Sequence, residues 1–113
     1  MGAVGRLPAG RDFEAVFKTG GSVAGPLFVV RFVRRDTESS RWGFAVGKKL
    51  DKRATIRNRM RRRLRAAAAT TSIAGGDVVV VARSRSLDAP FDDLVREFDR
   101  LMKRTGLPAA AKA

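Results

Sequence analysis

At 113 residues and 44% hydrophobic content the chain has room for one domain with a modest core and none for a second. Lys and Arg number 24 against 11 Asp and Glu, a net charge of +13, so the natural partner is a polyanion, either nucleic acid or an anionic membrane surface. With Cys 0 and His 0, disulfides and thiolate zinc sites are excluded, and acid–base catalysis lacks its usual side chain.

The opening MGAVGRLPAG has no charged segment followed by an apolar one, so it is not a secretory signal, and residues 1–9 read as a flexible lead-in. Arg11 to Thr19 reads as a short helix stopped by Gly20, with Phe13, Val16 and Phe17 on one face. Two Phe spaced i,i+4 suit a core or a contact surface, and both readings stay open. Ser22 to Pro26 reads as a weak edge strand. In Leu27 to Arg34, Phe28, Val30 and Phe32 alternate with Leu27, Val29, Arg31 and Val33, a strand covered on both faces except around Arg31. DTESS, residues 36–40, is a polar turn.

Arg41 to Gly47 is the returning strand. Trp42, Phe44 and Val46 share one face, while Gly43, Ala45 and Gly47 leave the other almost bare. Such a face admits a packed helix or a flat ligand equally well.

Lys48 to Arg65, KKLDKRATIRNRMRRRLR, holds ten of the basic residues against one acid, Asp51. Ile56, Met60, Leu64 and Ala67 draw a narrow apolar stripe along a helix. Arg57, Arg61 and Arg65 form a ridge away from that stripe, Asn58 and Arg62 the next ridge, and Arg59 and Arg63 flank it. No acid stands between Lys52 and Arg65, so neighbouring arginines repel one another. An isolated helix gains nothing from this, whereas a phosphate backbone laid against it reverses the sign. The arginines also suit bidentate phosphate contacts.

Asp77 to Ala82, DVVVVA, is a continuous β-branched run expected of a central strand, with Arg83 and Arg85 at its exit. A last helix opens with Pro90 at its first position, Asp88 as cap and Asp92 and Asp93 in the first turn. Its core stripe is Phe91, Leu94, Val95, Phe98, Leu101 and Met102, and residues 105–113 read as a flexible end. The order of elements makes a small α+β two-layer sandwich in a single domain, residues 1–113.

Three segments, RLxxxxDFEAVFKxG (Arg6 to Gly20), GFAVGKKLDKRATIRNRMRRRLR (Gly43 to Arg65) and DVVVVAR (Asp77 to Arg83), together resemble the protein component of bacterial ribonuclease P over about residues 6 to 104. Arg57-Asn58-Arg59 looks like that family's RNR motif. The resemblance implies a mixed four-stranded sheet with three helices and a left-handed βαβ crossover, as in ribosomal S5 domain 2. It also implies a noncatalytic subunit: the catalytic RNA holds the Mg2+ and removes the 5′ leader from precursor tRNA, and the protein binds no cofactor tightly. The RNA-facing residues it implies are Lys48, Lys49, Arg53, Arg57, Asn58, Arg59, Arg61 and Arg62. The leader cleft it implies is Phe13, Phe17, Val29, Arg31, Ala45, Ala82 and Arg83.

Three positions depart from the family. Arg31 stands where an aromatic is common, Arg61 where Lys is usual, and Gly47 where Ser is common.

The expected partners are the ribonuclease P RNA and the precursor leader, with no membrane, no DNA and a cytoplasmic location. A basic structural RNA-binding protein of ribosomal type explains the charge equally well but not the two Phe beside a small-residue strand. A free-standing nuclease would need Asp88, Asp92, Asp93, Glu97 and Asp99 to converge from facing elements around metal, whereas they lie in or just before the first turns of one helix, where stabilisation of the helix N-terminus explains most of them.

Overall fold

The computed structural model describes residues 4–6, 11–34, 40–70 and 75–107, with 4–6, 11–13 and 19 described by backbone alone. In chain order the elements are β1 (Val4–Arg6), α1 (Arg11–Thr19), β2 (Gly21–Ala24), β3 (Phe28–Arg34), β4 (Ser40–Ala45), α2 (Ala54–Ala68), β5 (Gly76–Ala82), a 3-10 turn (Ser84–Asp88) and α3 (Phe91–Thr105). The strands form one sheet in the order β1-β4-β5-β3-β2. β3 is antiparallel to β2 and β5, whereas β4 is parallel to β5 and to β1. Helix α2 therefore serves as the crossover between two adjacent parallel strands.

The expected four strands and three helices are all present, and β1 adds a fifth strand. Val4–Arg6 falls in the lead-in read as flexible, yet it pairs in parallel with Ser40–Trp42. The rest of the lead-in and residues 108–113 lie outside the described residues, as does all of the expected DTESS turn but its last residue. That residue, Ser40, begins β4, is buried, and accepts a hydrogen bond from Trp42 Nε1 at 3.2 Å.

The two faces of the sheet are unequal. One is buried under α2 and α3, where Phe28, Val30, Trp42, Val78 and Val80 meet Met60, Leu64, Leu94, Phe98 and Leu101. Phe98 is the hub of this layer, its ring centroid 4.3 Å from Phe28 and 6.0 Å edge-on from Trp42. Among the described residues the other face carries only α1, which packs Val16 on Val79 with Phe17, Val33, Ala45 and Val81 around them. β5 is buried on both sides at its centre, as its β-branched run implies.

Four expectations are corrected at element ends. Leu27 precedes β3 and packs with the α2/α3 core rather than on the α1 face. Phe91, assigned to the core stripe of α3, is exposed, because the stripe turns inward only from Leu94. Asp88 closes the 3-10 turn, and Pro90 is the cap residue of α3, with no side-chain cap bond. Helix α3 ends with Gly106 in the left-handed conformation, φ 73°.

Glu97 is buried. Its Oε2 accepts the N–H groups of Leu27 and Phe28, each at 2.9 Å, and its Oε1 accepts Arg100 Nη2 at 3.0 Å. A Cβ on Gly25 would sit 2.7 Å from that carboxyl group. Glycine at 25 therefore makes room for the carboxylate that ties α3 to the β2–β3 break. Among the described residues no helix is long and apolar enough to cross a membrane.

Candidate nucleic-acid interface

The first surface is α2 with the loop that leads into it. The apolar stripe faces the core, with Met60, Leu64, Ala67 and Ala68 buried, and this fixes where every arginine of the helix stands. Arg59 and Arg62 are exposed with no partner among the described residues, and so are Lys48 and Lys49 on the turn closed by the Leu50 N–H donating to the Gly47 carbonyl at 3.0 Å. Asn58 is exposed and accepts Arg61 Nη1 at 2.8 Å.

The ridge Arg57, Arg61, Arg65 is half-buried and engaged. Arg57 Nη1 donates to the carbonyls of Asp51 (3.1 Å) and Lys52 (2.8 Å). Arg61 Nη2 donates to the Val46 carbonyl at 3.1 Å, and the Arg65 guanidinium lies 5.1 Å from the Phe44 ring centroid. On the other flank Arg63 donates to the Ala89 carbonyl, joining α2 to the start of α3.

Arg53 forms a two-pronged pair with Asp51, Nε to Oδ1 at 3.1 Å and Nη2 to Oδ2 at 2.9 Å, and its own N–H donates to Oδ1 at 2.8 Å. These Arg53 hydrogen bonds hold the Asp51 carboxyl down at about 2 and push the Arg53 guanidinium up. The single acid of the segment is thus consumed locally, and the positive field of the helix is left uncompensated.

The second surface is the half-covered face of the sheet. By register Val29, Val81 and Ala45 lie side by side across β3, β5 and β4, all half-buried, with Ala45 and Val81 at the margin of the α1 contact. Arg31 and Phe17 form the wall: the guanidinium carbon lies 5.0 Å from the ring centroid and Nη2 donates to the Phe17 carbonyl at 2.7 Å. Phe13 lies on α1, and the role expected of its side chain falls outside the described residues.

Arg83 continues the parity of Val79 and Val81 in extended backbone (φ −104°, ψ 160°) and anchors Nη1 on the Gly25 carbonyl at 3.0 Å. With Pro26, Ser84 and Arg85 it lines a shallow hollow at the end of the trough.

Ala82 does not belong to this trough. It packs with the α2/α3 core, so the β5 residue facing the trough is Val81. Strand alternation, which sets odd and even residues of β5 on opposite faces, was the available signal. Arg85 was likewise visible as an exit charge but not as a neighbour of Pro26.

The carboxylates do not converge. Asp93 pairs with Arg96 at 3.2 Å, Asp99 with Lys103 at 3.1 Å and Glu97 with Arg100 at 3.0 Å. Among the described residues no group of three His, Cys, Asp or Glu could hold a metal ion.

An α+β sandwich with an uncompensated arginine helix over one face of its sheet and, on the other, an open trough walled by an aromatic ring and a guanidinium is a polyanion-binding domain suited to RNA. The chain belongs to the ribonuclease P protein family, whose model matches residues 1–106. It is 39% identical over 106 residues to the ribonuclease P protein component of Symbiobacterium thermophilum, covering 90% of this chain and 91% of that one. The corresponding protein of Acidothermus cellulolyticus is 40% identical over 104 residues, 88% of this chain and 86% of that one. Among solved structures, the RNase P protein of Thermotoga maritima superposes with a TM-score of 0.79 at 31% identity, covering 88% of this chain and 96% of that one. The Staphylococcus aureus protein gives 0.76 at 28%, covering 88% and 93%.

Proposed function

We propose that this chain is the RNA-binding protein subunit of a ribonuclease P, the endoribonuclease that trims the 5′ leader from precursor tRNA. In this reading α2 and its leading loop bind the ribonuclease P RNA, and the trough beside α1 takes the unpaired leader. The chemistry and its Mg2+ ions belong to the RNA, and the complex works in the cytoplasm. The protein's part is to neutralise phosphates and hold the substrate strand.

The observation that carries this reading is the set of exposed cations Lys48, Lys49, Arg59 and Arg62, without partners among the described residues, on one helix and its loop, whose other side buries Met60, Leu64, Ala67 and Ala68 in the core. A solvated structural helix would carry interspersed acids. The trough adds what a purely structural RNA binder does not need, a floor of small and β-branched side chains beside a ring–guanidinium wall on which bases stack without regard to sequence.

The test is reconstitution. The protein alone leaves precursor tRNA uncut, and adding a bacterial ribonuclease P RNA with Mg2+ at physiological salt gives cleavage faster than the RNA alone. Cleavage by the protein by itself, or equal rates with and without it, overturns the reading.

A further inference from the structure

The loop between β4 and α2 is poor in hydrogen bonds of its own. Among the described residues the single backbone pair within residues 46–52 is Leu50 N–H to the Gly47 carbonyl. The carbonyls at its two ends are satisfied from outside, by two arginines one helical turn apart: Arg61 holds Val46 O, and Arg57 holds Asp51 O and Lys52 O. Between these two clips stand Lys48 and Lys49, both exposed.

We propose that Arg57 and Arg61 are positioning residues, which act on RNA through the loop by fixing Lys48 and Lys49 beside Arg62, rather than as phosphate contacts in their own right. The inference rests on the RNA-binding reading above and assigns within it which cations touch RNA and which build the platform.

The donor geometry favours this division. Arg61 spends one donor of each terminal nitrogen, Nη1 on Asn58 Oδ1 and Nη2 on Val46 O, so part of the donor set that makes arginine a strong phosphate ligand is already used and the guanidinium is held in place. Arg57 spends Nη1 on two carbonyls. Moving either guanidinium away from its present place to meet a phosphate breaks its bonds to the loop's end carbonyls. Arg59 and Arg62 carry no such commitment. A flexible loop bearing two long lysines would lose conformational freedom when it binds, and clipping both of its ends removes part of that loss beforehand.

Two measurements test this. In the free protein, Arg57→Ala and Arg61→Ala accelerate amide hydrogen exchange over residues 48–52, and Arg62→Ala does not. For binding to a bacterial ribonuclease P RNA transcript, Arg61→Ala lowers affinity about tenfold in the otherwise unchanged protein, but less than about twofold when Lys48 and Lys49 are already alanine, the coupling expected of residues acting as a unit. Additive losses, or unchanged exchange in the 48–52 loop, overturn the proposal. If Arg62→Ala and the double lysine variant leave affinity for the transcript untouched, it is the RNA-binding reading that fails, and the exchange result then stands on its own as a statement about the loop. Circular dichroism and the emission of buried Trp42 confirm that each variant is folded.

Discussion

The guanidinium of Arg31 lies over the ring of Phe17, 5.0 Å from its centroid, and Nη2 donates to the carbonyl of the same residue at 2.7 Å. One arginine thus pins both the side chain and the main chain near the end of α1, and a nucleobase entering the trough meets a cation already laid on the ring. Its Nε is buried without a partner among the described residues, a cost of about 1–3 kcal/mol that an apolar side chain would not bear. Arg31→Met is therefore expected to change stability by no more than about 1 kcal/mol, because the lost carbonyl bond and the relieved orphan nearly cancel. It should nevertheless weaken precursor tRNA binding and leave mature tRNA binding unchanged. Phe17→Ala should reduce the leader-dependent part of binding by about 1–3 kcal/mol, the worth of a stacked base. Titration of precursor and mature tRNA with the assembled complex checks both.

The buried Glu97 carboxylate is the second place where one side chain sets local structure. Glu97→Ala removes the acceptor of two backbone N–H groups and should cost about 3–5 kcal/mol, whereas Glu97→Gln keeps one acceptor and should cost about 1–2 kcal/mol. Gly25→Ala puts a methyl group against the carboxylate and should cost about 1–3 kcal/mol. Urea unfolding with unchanged m-values gives all three, and a silent Gly25→Ala would show that the β2–β3 break is slack.

Legibility in the sequence followed the strength of periodic signals. The stripe Ile56, Met60, Leu64, Ala67 placed α2 and its arginines, and the alternation of Trp42, Phe44 and Val46 placed the core face of β4. Three residues of β1 in a Gly- and Pro-rich stretch carry no period, so parallel pairing with β4 was invisible. Glu97 appeared in the sequence only as one acid of the last helix, because the backbone N–H groups that it accepts lie about 70 residues away. Long side chains hide their direction: spacing set Arg57 and Arg61 on an outward ridge, while their reach folds them back onto loop carbonyls.

Asp51 gives a pH prediction with a definite sign. Its Arg53 partner holds the folded-state carboxyl at about 2, below its ordinary 3.8, so the stabilisation is present above 3.8 and is lost as pH falls through about 2. Asp51→Asn should remove that part of the acid sensitivity. Its melting temperature relative to the parent protein should be lower at pH 6 and converge toward it at pH 2. A constant offset across that range would mean the pair contributes nothing through ionisation.

The two sides of the sheet should separate cleanly by substitution. Ala45→Glu places a negative charge on the trough floor and should lower leader-dependent binding at least about tenfold by repulsion of phosphate, with mature tRNA unaffected. Ala82→Leu, on the opposite face, overfills the core and should cost about 1–3 kcal/mol of stability without that leader effect. Thermal melts and the same tRNA titrations distinguish the two, and a leader defect in Ala82→Leu at unchanged stability would restore Ala82 to the trough.

The short parallel strand at the front of the chain has a practical meaning. Val4–Arg6 occupies the outer flank of β4, which without it would present a raw row of amide and carbonyl groups to any chain drifting past. Trimming the first six residues to tidy an expression clone would unseal that flank and invite molecules to zip together side by side. β1 is itself the edge of the sheet and only three residues long, so losing it would exchange a short free edge for the six-residue edge of β4.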